Sequence, residues 1–176
     1  MGYRSLRVTN KTYIAKAKKP IDLWSKQLTS LPNYQPPKNF SAGFLKIKST
    51  KYSIFRSGKI VINGLGPLTN KFVNLTGIEI ERPKLQHCSA KISLTARLIL
   101  EKLSEVVDSP RSWPGHLPGL IFKLGDVSVT AHENGTVIFF GCENEEDAKY
   151  TSRRLVKLIN QHEAFVCNHC YMAGAV

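Results

Sequence analysis

The chain has 176 residues, of which 42% are hydrophobic, and its formal net charge at pH 7 is +12. This apolar content is enough for a compact core, whereas no apolar run approaches the ~20 residues that a transmembrane helix requires. The N-terminus also lacks the apolar segment of a secretory signal, so we expect a soluble intracellular protein without a membrane partner.

The positive charge is concentrated in the first part of the sequence. Residues 1–72 contain 14 Lys and Arg and a single acidic residue, Asp22, whereas residues 73–176 contain 11 basic and 12 acidic residues. Such clustering is typical of a protein that binds a polyanion, because neutralising phosphates releases counterions. A solubilising surface is the alternative interpretation.

Polar and apolar residues alternate over residues 6–14, which predicts an opening strand. A short helix is predicted at residues 21–28, with Trp24 on its inner face. Ser57-Gly58 is typical of a tight hairpin turn. Strands are predicted on either side of this turn at residues 52–56 and 59–63, and a third strand precedes them at residues 40–48.

The second half follows the same order with a longer helix. A strand is predicted at residues 72–81, and a helix at residues 89–107, where apolar residues recur at helical spacing. Three further strands are predicted at residues 119–124, 127–132 and 136–140. The last helix is predicted at residues 143–162, where acidic residues precede basic ones as the helix dipole favours.

Two internal alignments indicate a duplication. Residues 40–64 align without a gap with residues 117–141, at a spacing of 77. The leading strands align at a different spacing of 64, which pairs Asn10 with Asn74. We attribute the difference to the longer second helix and expect two copies of a strand–helix–three-strand unit.

Three segments of the sequence resemble the TATA-binding protein (TBP) family. They are residues 54–61 (IFRSGKIV), 74–77 (NLTG) and 116–123 (HLPGLIFK), and the resemblance extends from about residue 3 to residue 162. The segment Gly141-Cys142-Glu143 is similar to TBP-like factors of large DNA viruses.

The resemblance implies an α+β, TBP-like saddle. In this fold two repeats of a strand, a helix and three strands form a curved antiparallel sheet, with helices on its convex face. The implied divisions are a first repeat at residues 1–64 that lacks the family's long terminal helix, a connector at 65–73, a second repeat at 74–163 and a flexible tail at 164–176.

The resemblance also implies that the concave face binds the minor groove of DNA. The family's wedge positions fall on Phe40, Phe55, Leu117 and His132. Its central asparagines fall on Asn10 and Asn74, and its small or apolar groove-facing positions fall on Val61, Asn63, Ile138 and Phe140. Thr12 and Thr76 also suit this face, because a minor-groove reader needs apolar and hydroxyl side chains against sugar and base edges. The basic residues placed to meet phosphates are Lys38, Lys46, Arg56, Lys59 and Lys123. In the alternative interpretation, the phenylalanines belong to the core, and His132 and the asparagines are ordinary exposed residues.

The sequence contains no phosphate-binding loop, paired-carboxylate constellation or metal-ligand helix motif, so we expect neither enzyme activity nor a cofactor. Cys167, His169 and Cys170 could supply only part of a zinc site, which needs four ligands. We therefore favour a mobile C-terminal tail and predict no metal.

We expect a DNA-binding transcription factor that bends A/T-rich promoter DNA and recruits the initiation machinery, for example a TFIIB-like factor or RNA polymerase subunits. It would act in the nucleus or at a viral transcription site. Because most of the charge lies in the first repeat, that repeat is expected to grip DNA more strongly. Two alternatives stay open, namely a protein-interaction domain with little or no DNA bending and a non-specific nucleic-acid-binding module of a larger enzyme.

Overall fold

The computed structural model describes residues 1–112 and 119–166. Contacts within the chain group into two compact units, Asn10–His87 and Met1–Thr9 with Cys88–Val176. We call them the repeat-one unit and the repeat-two unit. They differ from the predicted divisions, because residues 65–87 belong to the repeat-one unit and residues 1–9 to the repeat-two unit.

The repeat-one unit is an antiparallel sheet with two short helices, and its strands lie in the order β2-β3-β4-β5-β1. The elements that contribute to it are β1 (Tyr3–Lys16, from Asn10 onward), α1 (Lys26–Thr29), β2 (Tyr34–Gln35), β3 (Ala42–Ile47), β4 (Thr50–Phe55), β5 (Lys59–Gly64) and α2 (Thr69–Thr76). The predicted hairpins are therefore confirmed to within a few residues at each strand end.

One side of this sheet forms the core of the repeat-one unit. Alternate residues of β3, β4 and β5 are buried, as the pleat of a strand requires when only one face is covered. Helix α2 contributes Phe72, whose ring stacks on Tyr52 with 4.7 Å between the ring centroids. The buried strand residues are Leu45, Ile47, Tyr52, Ile54, Ile60 and Ile62.

Tyr52 is fully buried, and its hydroxyl donates a hydrogen bond to the carbonyl oxygen of Pro67. Burial raises the pKa of Tyr52 to about 12, because the core disfavours the phenolate. The raised pKa means that the stability contributed by the neutral phenol is present below pH ~10 and is lost as the pH rises towards 12.

We therefore expect Tyr52→Phe to lower stability by about 1 kcal/mol at pH 8, through loss of the hydrogen bond. The same variant is expected to lose less stability than the wild type between pH 9 and pH 11.5, because it has no phenol to ionise. Thermal melts across this pH range measure both effects, with the exposed Tyr150→Phe as the matched control. An unchanged alkaline slope in Tyr52→Phe would contradict the prediction.

Two predicted elements of the repeat-one unit are wrong. Residues 72–81 are not a strand, since α2 covers Thr69–Thr76 and ends at Gly77, which has a positive φ of 63° and donates its N–H to the carbonyl of Val73. A short helix therefore follows β5, where the sequence predicted a first repeat without the family's long terminal helix. Trp24 is not on an inner face but is 64% exposed. It lies in a turn before α1 begins, where its backbone N–H donates to the Asp22 carboxylate.

The repeat-two unit has the same arrangement, with strands in the order β6-β11-β10-β9-β8. Its elements are β6 (Lys84–Leu94), β7 (Arg97–Leu98), α3 (Leu100–Ser104), β8 (Asp108–Ser112), β9 (Gly119–Leu124), β10 (Val127–His132), β11 (Thr136–Cys142), α4 (Glu145–Gln161) and β12 (Phe165–Val166). Strands β7 and β12 form a separate antiparallel pair. The last helix is confirmed, and Asn144 caps it by accepting a hydrogen bond from the Asp147 N–H.

The N-terminal residues complete the repeat-two unit. The side-chain amide of Asn160 donates to the Met1 carbonyl, and Thr95 donates its hydroxyl to the Gly2 carbonyl. Leu6 and Val8 pack against the repeat-two core. The two ends of the described chain therefore lie in one unit.

The predicted helix at residues 89–107 is wrong, because most of this segment is extended. Cys88, Ala90, Ile92 and Leu94 are all buried, whereas the residues between them point away from the core. This period of two marks a strand. The helical part is only Leu100–Ser104.

A single spacing of 77 residues relates the two units. The first and last residues of β9 follow those of β3 by 77 positions, and the same holds for β10 and β4. The same spacing also connects the two hairpin glycines, Gly58 and Gly135, which adopt positive φ values of 87° and 80°. The spacing of 64 that paired Asn10 with Asn74 joins a strand to a helix and is therefore wrong.

Candidate nucleic-acid interface

The side of the repeat-one sheet opposite its core is not covered by α1 or α2, which contribute Leu28 and Phe72 to the core side. Besides Gln35 and Ala42, strand pairing and alternation place twelve residues on this surface, and we call these twelve the repeat-one open face. They are Asn10, Thr12, Ile14, Lys16, Phe44, Lys46, Lys51, Ser53, Phe55, Lys59, Val61 and Asn63.

Cross-strand pairing arranges most of these residues in rows. The middle row is Ile14, Val61, Ser53 and Phe44. The row on one side is Thr12, Asn63, Lys51 and Lys46, and the other side holds Lys16, Lys59 and Phe55. The twelve residues include four lysines and no carboxylate. The face is therefore a largely apolar band between two cationic margins.

Thr12 and Asn63 lie directly opposite each other on β1 and β5. The Thr12 hydroxyl donates a hydrogen bond to Asn63 Oδ1 at 2.8 Å. The exposed fraction of Thr12 is only 8%, so the pair lies in the floor of the open face.

The candidate wedge residues Phe40 and Phe55 do not lie beneath a helix. Phe40 is 72% exposed, and its ring meets that of Phe44 edge to face, with 6.4 Å between the centroids. Phe55 is partly exposed at the end of β4, just before the hairpin turn. The core alternative is therefore excluded for Phe40. Sequence reasoning missed Phe44, although it alternates with the core residue Leu45.

The repeat-two unit has an equivalent open face with different residues. Its members are Ser89, Lys91, Ser93, Ile121, Lys123, Ser128, Thr130, His132, Thr136, Ile138 and Phe140. At the spacing of 77, Phe55 is replaced by His132, and Asn63 by Phe140. This face has two lysines where the repeat-one open face has four. The candidate wedge Leu117 lies outside the described residues.

Two predicted groove residues are misplaced. Asn74 and Thr76 belong to α2, where Asn74 is exposed and the Thr76 hydroxyl donates to the Phe72 carbonyl at 2.8 Å. The residues that follow Asn10 and Thr12 by 77 positions are His87 and Ser89 in β6. Sequence reasoning missed both, and the alternation along β6 was the signal that could have found them.

The predicted phosphate-binding residues are all exposed. Lys46, Lys59 and Lys123 lie on the open faces, whereas Lys38 and Arg56 lie in connections outside the strands. Sequence reasoning missed three further lysines on these faces, namely Lys16, Lys51 and Lys91.

Residues 1–112 and 119–166 contain no group of three or more His, Cys, Asp or Glu that could hold a metal ion. Cys88 and Cys142 are paired across β6 and β11, and both are buried. Burial raises the pKa of Cys142 to about 12, so this group is a thiol at neutral pH. Within the same described ranges, no helix is long and apolar enough to cross a membrane. Cys167 and Cys170 lie outside these ranges.

Comparison with known proteins agrees with this architecture. The model of the family described as "Transcription factor TFIID (or TATA-binding protein, TBP)" matches residues 82–162. The TATA-box-binding protein of Pyrobaculum calidifontis is 35% identical over 85 residues, which are 47% of this chain and 43% of that protein. The TATA-box-binding protein of Methanocaldococcus jannaschii is 28% identical over 131 residues, or 66% of this chain and 72% of that protein.

The match to the Pyrobaculum protein thus spans less than half of that relative's length. The solved structure of Methanococcus jannaschii TBP superposes with a TM-score of 0.72, covering 89% of this chain and 99% of that chain at 23% identity. This superposition confirms the predicted TBP-like fold. Residues 82–162, which make up less than half of the chain, are similar to the TATA-binding protein family.

Proposed function

We propose that the chain is a DNA-binding transcription factor that binds A·T-rich duplex DNA through the minor groove. The observation that carries the proposal is the apolar band of the repeat-one open face between its lysine margins. Minor-groove edges of A·T pairs present only hydrogen-bond acceptors beside apolar sugars, which suits side chains such as Val61 and Asn63. The lysines on both margins suit the phosphates that border the groove.

Phe55, with the exposed Phe40 and Phe44, supports a proposal of DNA bending. Insertion of apolar side chains between base steps, known from TATA-binding proteins themselves, unstacks the step and kinks the duplex. His132 takes the place of Phe55 in the repeat-two unit. We propose that the repeat-one unit supplies the larger part of the wedge and of the phosphate contacts.

Phe55→Ala is expected to lower affinity for an A·T-rich duplex about tenfold, equivalent to ~1.4 kcal/mol, and to reduce the bend. His132→Ala is expected to change either quantity less than twofold, because imidazole is a poor wedge. Fluorescence anisotropy measures affinity, and energy transfer between labelled duplex ends measures bending. Thermal melts of both variants provide the folding control. Equal losses in the two variants would refute the asymmetry.

Competition between A·T-rich duplex, G·C-rich duplex and single-stranded RNA at two salt concentrations tests the proposed function itself. Groove reading predicts a preference for A·T-rich duplex that persists at higher salt. Steep salt dependence without sequence preference would indicate a non-specific basic surface instead. Absence of binding to all three would favour the protein-interaction alternative.

Recruitment of a TFIIB-like factor or RNA polymerase subunits is a further part of the proposal. Helix α4 begins with Glu145, Glu146 and Asp147, and Tyr150 in the next turn is 66% exposed. Lys149 pairs with Glu146 at 2.7 Å, so this surface carries both signs of charge. Its exposed aromatic ring suits a protein partner, since aromatic residues are enriched at interfaces.

A further inference from the structure

We propose that Cys88 and Cys142 are a redox pair, which a small disulfide such as oxidised glutathione converts into a disulfide that joins β6 to β11. Both side chains belong to the core of the repeat-two unit, on the side of the sheet opposite its open face. The proposed DNA-binding function does not use them. The disulfide would therefore be a modification of the protein interior that is independent of the proposed function.

The two cysteines lie directly opposite each other in the antiparallel pair of β6 and β11. Directly opposed residues in such a pair have Cα atoms about 4.5–5.5 Å apart, which falls within the ~4.4–6.8 Å that a disulfide spans. Both side chains point into the same core, and the two thiols are in hydrogen-bonding contact. A disulfide can therefore form between them without a large movement of either strand.

Burial limits how fast the pair can react. Both cysteines are fully buried, and burial, together with the neighbouring Cys88 and Asp147, raises the pKa of Cys142 to about 12. The thiolate is the form that attacks a disulfide, so exchange is slow while the two strands stay paired. We expect the reaction to pass through a local opening, in which the thiols meet water and regain an ordinary pKa.

A β-bulge marks the place where β6 and β11 can separate. Phe139 pairs with Ala90. The next pair is Cys142 with Cys88, so β11 contains one more residue than β6 in this interval. Gly141, within the bulge, has a positive φ of 83°. Since Cys142 is also the last residue of β11, the pair lies at a strand end beside an interrupted ladder, where opening costs less free energy than at the strand centre.

The reaction consists of two successive thiol–disulfide exchanges. In the opened state one cysteine thiolate attacks a sulfur of oxidised glutathione, which breaks the S–S bond of glutathione and releases one glutathione thiolate. The second cysteine thiolate attacks the protein sulfur of the mixed disulfide, which forms the bond between Cys88 and Cys142 and releases the second glutathione. The two cysteines lose two electrons and two protons in total, and two molecules of reduced glutathione carry them away.

The disulfide is expected to stabilise the repeat-two unit. It would close the chain from residue 88 to residue 142 and so reduce the conformational entropy of the unfolded state. We expect Tm to rise by about 5–15 °C on oxidation. Once the strands pair again the bond is buried, so a reductant should remove it slowly from the folded protein.

The test uses the full chain with Cys167→Ser and Cys170→Ser, because these two thiols would otherwise compete for the oxidant. The reduced protein is equilibrated with oxidised glutathione in urea well below the unfolding transition, which favours local opening, and free thiols are then alkylated with iodoacetamide. Proteolysis and mass spectrometry without reductant identify linked peptides. We expect one peptide pair joined through Cys88 and Cys142, with neither residue alkylated, and a higher Tm that prolonged reduction reverses.

Cys88→Ala and Cys142→Ala, each in the same background, are the matched controls, since each leaves one thiol without its partner. Each is expected to form only a mixed disulfide with glutathione and to show no reductant-dependent rise in Tm. If either replacement prevents folding, melts of the parent protein before and after reduction still measure the effect of the bond. The rate of linkage in the parent should increase with urea concentration, because opening limits it.

Three results would overturn the inference: both thiols stay reduced, both carry only glutathione, or the linked protein melts at the same temperature as the reduced protein. Linkage that forms only in urea concentrations that unfold the whole chain would also overturn it, since the pairing of β6 with β11 would then contribute nothing. None of these results bears on DNA binding, so the proposed function stands or falls separately.

Discussion

Replacing Phe72 by alanine is expected to lower the free energy of unfolding of the repeat-one unit by about 3–5 kcal/mol. The Phe72 side chain is fully buried, and its ring stacks on Tyr52. Its removal leaves a cavity between α2 and the sheet and deprives that short helix of its main apolar anchor. An eight-residue helix has little stability without such packing.

Urea denaturation of the full chain, followed by far-ultraviolet circular dichroism, measures this loss. Leu75→Ala is the matched control, since Leu75 lies on the same helix and is 43% exposed. We expect the control to cost less than about 1 kcal/mol. Similar losses in the two variants would mean that α2 is not held by Phe72.

Replacing Lys51 and Lys59 together by glutamine is expected to produce the largest loss of DNA affinity. The two lysines lie on opposite margins of the repeat-one open face. Each phosphate contact contributes about −0.9 to the slope of log K against log salt, so the double variant should lower the magnitude of the slope by about two. At low salt this corresponds to a loss in affinity on the order of 10²-fold.

The control for this experiment keeps the same net charge. Lys26→Gln with Lys71→Gln removes two lysines from α1 and α2, the helices that pack on the core side of the same sheet. If the open face binds the phosphates, only the Lys51/Lys59 double variant changes the slope of log K against log salt. Equal changes in both double variants would show that binding depends on overall charge and not on the face.

The hairpins could be predicted from sequence because residues close together in the chain determine both the turn and the buried face. Gly58 and Gly135 supply the positive φ of the turns, and alternating residues on either side set which face is buried. Strands β9 and β10 begin and end at the predicted residues. The placement of Phe55, Val61 and Asn63 on one face follows directly from that alternation.

The elements between the hairpins could not be predicted in the same way. In residues 89–107, apolar residues such as Ile92, Ala96 and Leu103 fit a helical period, and the same segment also alternates from Cys88 to Leu98. Burial decides between the two periods, and burial depends on pairing with β11, which is distant in sequence. The misplacement of Asn74 went unnoticed because the false helix accounted for the difference between the two spacings.

The open face was accordingly better predicted in the repeat-one unit than in the repeat-two unit. Asn10, Thr12 and the two wedge phenylalanines lie on or beside that face, whereas His87 and Ser89 were not predicted. Contact of these residues with DNA stays a prediction. The hydrogen bond between Thr12 and Asn63 could not be foreseen, since it depends on the register of β1 against β5. The likeness to factors of large DNA viruses stays a prediction.

The contribution of Met1–Thr9 to the repeat-two unit has a consequence for synthesis on the ribosome. Residues 1–9 are translated before the residues that they pack against, so Leu6 and Val8 stay without their packing partners until the repeat-two core has left the exit tunnel. Deleting a few N-terminal residues should accordingly destabilise the C-terminal half of the molecule while sparing the sequence that directly follows the deletion.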